Sequence, residues 1–575
     1  MKHLFATKRY KEYDTKYFVF DVETKGLKGT PDSFVFGCIY GHNFKQVFYS
    51  HDEFEKILDH KRFRNSIVFA HNAEFDLSVM YGNIIKNLDE KAIFNNRFIC
   101  ARHKKLLFAD SFNIFGFSVA AIGEQIGLPK LEIDSGFKDG SIGKITEKHI
   151  EYCYRDCEIV WLALNKVFRI TGAVKITLAG LALHYFRNSF IKNRISSDDK
   201  YIYDFFDSYY GGRVEVFKLG KVKAYKYDVN SMYPYAMKHA VFPNPMYMKV
   251  ETNPHITRVK DLLNRFEGLL YCTVYHEQSK FGYLPYREKE GNNKFTKLLF
   301  PVGTFSGCWN FNEIRFAVSR GKVRIIECTK IVFSTRYQSP FFDFITTVYK
   351  LRTTAKGIDK TIYKLILNSL YGKFAQRINY SEEYHEEVPF DKISELQRKG
   401  IEYELKMFSH EREDCYLRIA NIKNLSHTIP LFSSYITSFA RVHLLKFMEE
   451  NEKGLVYVDT DSICSTIRRA YNSMELGEMK KEPAILTEIF GNKSYTEEIG
   501  IDKFTKLKGI PKKAKKIGKN KYEYLTMMKT KQAIRNKKVA GEFNLVTKEL
   551  TFAYDKRTIG KNGVTHAIIL TNGTN

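Results

Sequence analysis

Along the first 170 residues, apolar and polar positions alternate in short blocks. KYFVFDVET, SIVFAH and KLLFAD are strand-like runs, while ITEKHIEYCYRDCEIVWLALNKVF repeats apolar residues at helical spacing. Strands alternating with helices predict an α/β unit. A strand-rich middle follows, then a helical block from about 341 to 370. Within it, KTIYKLILNSLYGKF sets Lys360, Lys364, Asn368 and Tyr371 on one helical face, with Ile362, Leu365, Ile366 and Leu370 largely away from it. Gly357 marks a turn between two helices, and Gly372 a helix end. Residues 376–425 are polar and charged (SEEYHEE, SHERED) and read as an insertion with a solvated surface. No internal repeat or low-complexity linker interrupts the pattern.

A chain of 575 residues has room for several domains, and 44% hydrophobic with 27% charged residues is an ordinary globular balance. Charge changes the picture. With 91 Lys+Arg against 65 Asp+Glu, a net charge of +26 implies a polyanionic partner. Aromatic residues make up 15%; most belong to cores, and exposed ones can stack on unpaired bases. KFTKLKGIPKKAKKIGKNK (503–521) carries nine lysines in 19 residues, either a solvated loop or a phosphate-backbone contact. Whole-chain basicity favours the contact. Nine scattered cysteines without a CxxC pair argue for a reducing, cytoplasmic setting and against structural zinc. MKHLFATKRYKEYD lacks the apolar stretch of a signal peptide. The longest uncharged run, Leu425–Ala440, holds six Ser/Thr in 16 residues, too short and polar to span a bilayer, so no membrane partner is expected.

Against this basic background certain acids stand out. Period-two alternation puts Asp21 and Glu23 on one face of a strand. AHNAEFDLS supplies Asn72, Phe75 and Asp76, and EYCYRD supplies Tyr152 and Asp156 one helical turn apart. Four carboxylates from separate elements suit a pair of hard divalent cations, which activate a water and stabilise the leaving oxygen of a phosphodiester. D-x-E alone is a weak signal, better explained by an acidic edge-strand pair. The ordered set resembles the three motifs of the DEDD-type 3′–5′ exonucleases, in the form where a tyrosine orients the attacking water. That resemblance implies Asp21, Glu23, Asp76 and Asp156 as metal ligands and Tyr152 as the positioning group. It also implies Thr24, Asn72, Phe75 and Ser111 (in FADSF) as holders of a single-stranded 3′ end.

A second set lies downstream. DVNSMYP (228–234), KLILNSLYG (364–372) and YVDTDS (457–462), in that order, resemble motifs A, B and C of family B DNA polymerases. The resemblance spans about residues 18 to 510. It implies that Asp228 and Asp461, with the Val229 backbone, hold two Mg²⁺ (or Mn²⁺) ions, as the exonuclease acids would in their own site, and that Asp459 supports them. Ser231, Arg352, Lys364 and Asn368 would hold the incoming triphosphate. Tyr233 would pack under its sugar, Tyr371 against the nascent base pair, and Lys360 on the primer side. YYGGR (Tyr209, Gly211, Gly212), TSFAR (Thr437, Arg441) and KSY (Lys493, Tyr495) would track template and primer strands. Apolar runs on both sides of YVDTDS predict a hairpin whose turn carries the acids.

The expected fold class is a multidomain α/β and α+β chain. A ribonuclease-H-like DEDD exonuclease domain would precede a right-hand polymerase of palm, fingers and thumb. The expected division is exonuclease 1–170, linker and first palm segment 171–239, a first insertion with palm 240–340, fingers 341–375, a second insertion 376–430, palm 431–505 and a basic thumb-like region 506–575. The exonuclease motifs begin by residue 21, which leaves no room for an extra N-terminal domain, and 84 residues separate Gly372 from Tyr457. Both spacings are similar to the protein-primed subfamily of linear-genome phages and linear plasmids. The function this implies is proofreading DNA synthesis on a linear genome, with terminal-protein priming and strand displacement. Expected partners are primer-template and single-stranded DNA, dNTPs and a terminal protein, for a monomeric enzyme. The alternative is a standalone 3′–5′ exonuclease whose C-terminal half grips DNA.

Overall fold

The computed structural model describes residues 2–4, 15–26, 28–94, 97–132, 136–141, 143–192, 194–290, 293–376, 378–385, 388–398, 403–409, 412–421, 427–529, 532 and 541–571. Its N-terminal unit is built on strand β1 (Tyr17–Thr24), flanked by the antiparallel β2 (Phe34–Gly41) and the parallel β3 (Ile67–Ala70), with β4 (Leu106–Asp110) parallel beyond β3. Three further strands complete a seven-stranded mixed sheet. Alternation along β1 decides what each face meets. Phe18, Phe20 and Val22 enter a core with Phe54, Val68 and Phe108. Val19, on the other face, packs into the core that holds Cys153, Val160 and Leu164. Those last residues belong to helix α2 (Glu147–Thr171), whose start is fixed by a capping box between Thr146 and His149. A short helix α1 (Glu74–Tyr81) follows β3.

The second unit centres on an antiparallel seven-stranded sheet. Its middle strands are β5 (Gly220–Val229), β6 (Leu455–Asp459), β7 (Ser462–Ser465) and β8 (Met479–Gly491), in the spatial order β6-β7-β5-β8. The register sets Asp228 opposite Ser462, so the end of β5 abuts the β6–β7 turn. Helices α3 (Phe342–Thr354) and α4 (Gly357–Ser369) form the block expected near 341–370. Ile358, Ile362, Ile366 and Leu367 are buried, while Lys360 and Lys364 face solvent. Helix α5 (Pro430–Glu450) starts inside the longest uncharged run and buries Leu431, Phe432, Tyr435, Ile436, Leu444 and Met448. Among the described residues no helix is long and apolar enough to cross a membrane.

Two additions interrupt this unit. Residues 248–334 form four strands of a five-stranded sheet, and residues 378–421 form a three-stranded antiparallel sheet with helix Phe390–Arg398. The C-terminal region has two parts. Its lysine-rich start leads into a sheet of Lys515–Lys516, Lys521–Met527 and Phe543–Glu549. The tail then returns to the rest of the molecule, where Ile569–Leu570 pair in parallel with Val302–Gly303 as the fifth strand of the first added sheet. Buried Arg557 anchors that return, bonding Glu215 at 3.0 Å, which in turn bonds buried Arg213 at 2.6 Å. A buried carboxylate flanked by two guanidiniums needs both partners, and one of them sits 342 residues away in the chain.

Candidate active sites

On β1, Asp21 and Glu23 project toward α2, and one oxygen of each lies within 4.8 Å of the other and of Cys153 Sγ. The Val22 amide donates to Asp76 Oδ1 at 3.3 Å, which draws the buried Asp76 of α1 against the strand. Asp156 reaches in from α2, one turn after Tyr152. Lys130 forms an ion pair with Asp156 Oδ2 and lies 4.6 Å from the centroid of the Tyr152 ring. Burial, then Cys153 and the neighbouring carboxylates, hold Asp21 well above the ordinary carboxylate range. Glu23 is raised by the same burial and crowding. Burial pushes Asp76 up to about 8, against the Val22 amide bond, and Asp156 up to about 6, against Lys130. Asp156 Oδ1 is buried and has no hydrogen-bond partner among the described residues. Crowded acids with an orphaned oxygen fit a hard divalent cation, whose charge would reverse those shifts.

Asn72 is exposed in a left-handed conformation (φ 70°), its amide donating to Asp110 Oδ1 at 2.9 Å. Phe75 is half-buried nearby. Two residues expected to hold the 3′ end are also bonded within the fold. Thr24 is 7% exposed and its hydroxyl donates to the Gly26 carbonyl, tightening the turn after β1. Ser111 is 0% exposed and lies between His71 Nδ1 at 2.9 Å and the Ala70 carbonyl at 3.1 Å. Both hydroxyls are bonded to nearby backbone carbonyls.

The second site forms where β5 ends beside the β6–β7 hairpin. The Val229 amide donates to the Asp461 carbonyl at 2.7 Å, which fixes the two motifs together. Asp228, Asp459, Asp461, Lys226, Lys493 and Tyr495 line a cavity of about 290 Å³. Burial, then Asp461 and Glu482, push the Asp228 carboxyl up to about 6. Asp461 is raised by burial and by Asp459. Asp459 is engaged elsewhere: Lys493 Nζ lies 2.7 Å from both its oxygens, and Thr460 Oγ1 donates to it at 3.1 Å. Asp228 and Asp461 thus present two crowded carboxylates to the same space, a donor set that fits a hard cation.

The helices add the cationic and aromatic side. Ser231, in a left-handed conformation (φ 57°) after β5, accepts from Arg352 Nη1 of α3 at 2.6 Å. Tyr233 and Tyr371 stack with centroids 4.2 Å apart and planes at 24°. Lys360, Lys364, Asn368 and Tyr371 run along one side of α4 and beyond its end. Gly212 sits so close to the hairpin that a Cβ there would lie 2.9 Å from Thr460 Cγ2, and the Thr460 amide donates to the Arg213 carbonyl at 2.7 Å. Tyr209, Gly211 and Gly212 therefore form a turn clamped onto the YVDTDS turn.

Three further residues expected at the DNA also bond within the protein. Arg441 is 2% exposed, bonds Glu313 through two nitrogens at 2.7 and 2.8 Å, and donates to the Tyr210 and Gly211 carbonyls. It holds the 209–213 turn from behind. Thr437, 2% exposed, donates to its own helix at the Ser434 carbonyl. Lys493 pairs with Asp459 at 2.7 Å, its side chain still 55% exposed, while Tyr495 packs near Tyr457, 5.8 Å between centroids. Sequence reasoning missed Lys130, Lys226 and Glu313. Each acts through a partner distant in the chain, and only the lone cation in GLPK offered any signal, a weak one.

Residues 135–452 match the model of a family described as DNA polymerase type B, organellar and viral. A probable DNA polymerase of Neurospora intermedia is 26% identical over 398 residues, 62% of this chain and 39% of that protein. The chain therefore spans well under half the length of that relative. The DNA-directed DNA polymerase of Enterobacteria phage PRD1 is 26% identical over 481 residues, 79% of this chain and 77% of its own. Phi29 DNA polymerase, in a complex with primer-template DNA and incoming nucleotides, superposes with a TM-score of 0.68 at 17% identity, covering 94% of this chain and 100% of that one. That likeness shows the fold: an exonuclease-type α/β unit followed by a right-hand polymerase unit.

Proposed function

Because the chain belongs to the organellar and viral type B DNA polymerases, we propose that it is a DNA-directed DNA polymerase with a 3′–5′ proofreading exonuclease. The observation that carries this reading is the meeting of Asp228 and Asp461 at the β5 and β6–β7 ends, faced by Arg352 on Ser231 and by the Tyr233–Tyr371 stack. Two Mg²⁺ or Mn²⁺ ions per site would supply Lewis-acid activation of the attacking oxygen and neutralise charge on the leaving phosphate. Asp228 and Asp461 would hold them in the polymerase site, and Asp21, Glu23, Asp76 and Asp156 in the exonuclease. Arg352, Lys360 and Lys364 bring positive charge to the triphosphate and primer side. The stacked tyrosines would set a flat floor for the nucleotide, with Tyr233 under the sugar to exclude a 2′-hydroxyl. In the other site Lys130 holds Asp156 and packs on Tyr152, so the tyrosine hydroxyl is positioned to orient a water.

Separating the two activities tests the reading. Asp228→Ala and Asp461→Ala should abolish primer extension and spare degradation, while Asp21→Ala with Asp76→Ala should do the reverse. A wild-type chain that degrades DNA but never extends a primer would leave only an exonuclease with a DNA-gripping half. Initiation on a terminal protein, supported by the added sheets at 248–334 and 378–421, is tested by labelling. Enzyme, terminal protein, Mg²⁺ and labelled dNTP should give a labelled protein, and its absence beside normal primer extension would remove the priming claim alone.

A further inference from the structure

One cavity, about 840 Å³, lies in neither candidate site. It opens at the far end of the β1–α2 seam, about 13 Å along the strand from Asp21 to Tyr17. Trp161, Asn165 and Arg169 recur one turn apart on α2 and form one wall, while Lys16, His42 and Arg62 close it from the sheet side. Two observations give its chemistry. No carboxylate lines it among the described residues, so the positive charge of Lys16, Arg62 and Arg169 is unopposed there. The aromatic rings are layered: Tyr17 lies 5.8 Å from Trp161 with planes at 20°, and the exposed His42 lies 6.3 Å from Trp161 at 16°. Asn165 holds the layer by donating to the Tyr17 hydroxyl at 2.9 Å. The buried Trp161 Nε1 has no acceptor among the described residues.

We propose that this cavity is a second nucleotide-binding site, taking a planar base against the His42–Trp161 layer and its phosphate on Arg169, Arg62 and Lys16. Layered aromatic rings bordered by cations are the general means of holding unpaired nucleotides without sequence preference. The volume falls in the range of small-ligand pockets, about 300–1,000 Å³. A nucleotide could come from a passing single strand or as a free deoxynucleoside monophosphate. Neither source requires the polymerase or exonuclease chemistry to be as proposed above, because binding is read without turnover.

The chain provides its own reporter. Of its two tryptophans, Trp309 is fully buried and donates to the Pro285 carbonyl, so fluorescence quenching by a stacked base reports Trp161. With EDTA present to keep divalent cations away, the full chain is titrated with dAMP, a short oligothymidylate and inorganic phosphate. Saturable quenching by dAMP identifies a mononucleotide site, and quenching by the oligonucleotide alone identifies a strand site. Phosphate should compete without quenching. Arg169→Glu, on an exposed side chain, should weaken binding by on the order of tenfold, the value of one charge-assisted contact. Trp161→Phe should remove the signal and leave the Trp309 emission. The proposal is overturned if neither nucleotide quenches, or if Arg169→Glu binds as the wild type does.

Discussion

At the scale of single residues, protonation and metal binding compete for the same oxygens. Asp228 has a folded-state value of about 6, above the ordinary 3.8, so the folded chain binds that proton more tightly than the unfolded chain does. Without metal, stability therefore falls as pH rises through about 6; bound cation reverses the trend by neutralising Asp228 and Asp461. In a chain carrying Asp21→Asn and Asp76→Asn, Mn²⁺ affinity at the remaining site should fall about tenfold per pH unit below about 6. Electron paramagnetic resonance of free Mn²⁺ checks it, and a pH-independent affinity between 5 and 7.5 would contradict the assignment. Residue identities were legible in the sequence where the chemistry is unusual, as in YVDTDS beside DVNSMYP. They do not tell which polar side chains also serve the fold. Ser111, Thr24 and Thr437 spend their hydroxyls on nearby carbonyls, and a motif does not reveal whether its oxygen points inward.

At the scale of elements, the strands and helices were legible because their apolar periods match their burial: Ile358, Ile362 and Ile366 turn inward on α4 as its spacing predicts. What joins elements was not, since pairings such as Arg441 with Glu313 connect residues 128 apart. That pair explains why two turns meet. Arg441 fastens the 209–213 turn to α5, and Gly212 lets that turn lie against Thr460 in the hairpin that carries Asp461. Arg441→Ala leaves Glu313 buried and uncompensated, and should cost about 3–5 kcal/mol by urea denaturation. A loss of DNA affinity with stability intact would instead favour a direct strand contact. Gly212→Ala is a gentler probe. Its Cβ meets the Thr460 side chain at 2.9 Å, closer than Cβ contacts come, so the hairpin must shift. Primer extension should fall by roughly tenfold, in keeping with small misplacements of catalytic groups, while degradation of a single-stranded 3′ end holds.

At the scale of the whole molecule, contacts run in a closed circuit. The N-terminal unit touches α4 through Lys166 and Asp359 at 3.3 Å, and α4 leads by chain to the palm sheet and on to the C-terminal strands. Those strands return to the N-terminal unit: the Gly29 amide donates to the Gly541 carbonyl at 3.0 Å, Lys28 bridges Glu542, and Lys529 pairs with Glu74 at 3.1 Å. Phe543 lies 6.3 Å from Phe75, so the closure sits beside the position expected to hold a 3′ end. Gly541 makes the approach possible, with φ 87° and a Cβ position only 2.0 Å from the Gly29 carbonyl oxygen. Any side chain there separates the two units without touching a carboxylate of either site. Gly541→Val should therefore shorten the DNA made per binding event by severalfold, as one electrostatic and one backbone contact are lost, on the order of 1–3 kcal/mol. Extension in the presence of a heparin trap measures that length, and the rate of single-nucleotide addition in the same variant should stay near that of the wild type. Lys529→Glu, which faces Glu74 with a like charge, should reproduce the shortening at low salt and lose part of it as salt screens the repulsion. If both variants synthesise wild-type lengths under the trap, the circuit does not retain DNA, and the C-terminal strands act only as part of the basic surface that a net charge of +26 spreads over the molecule.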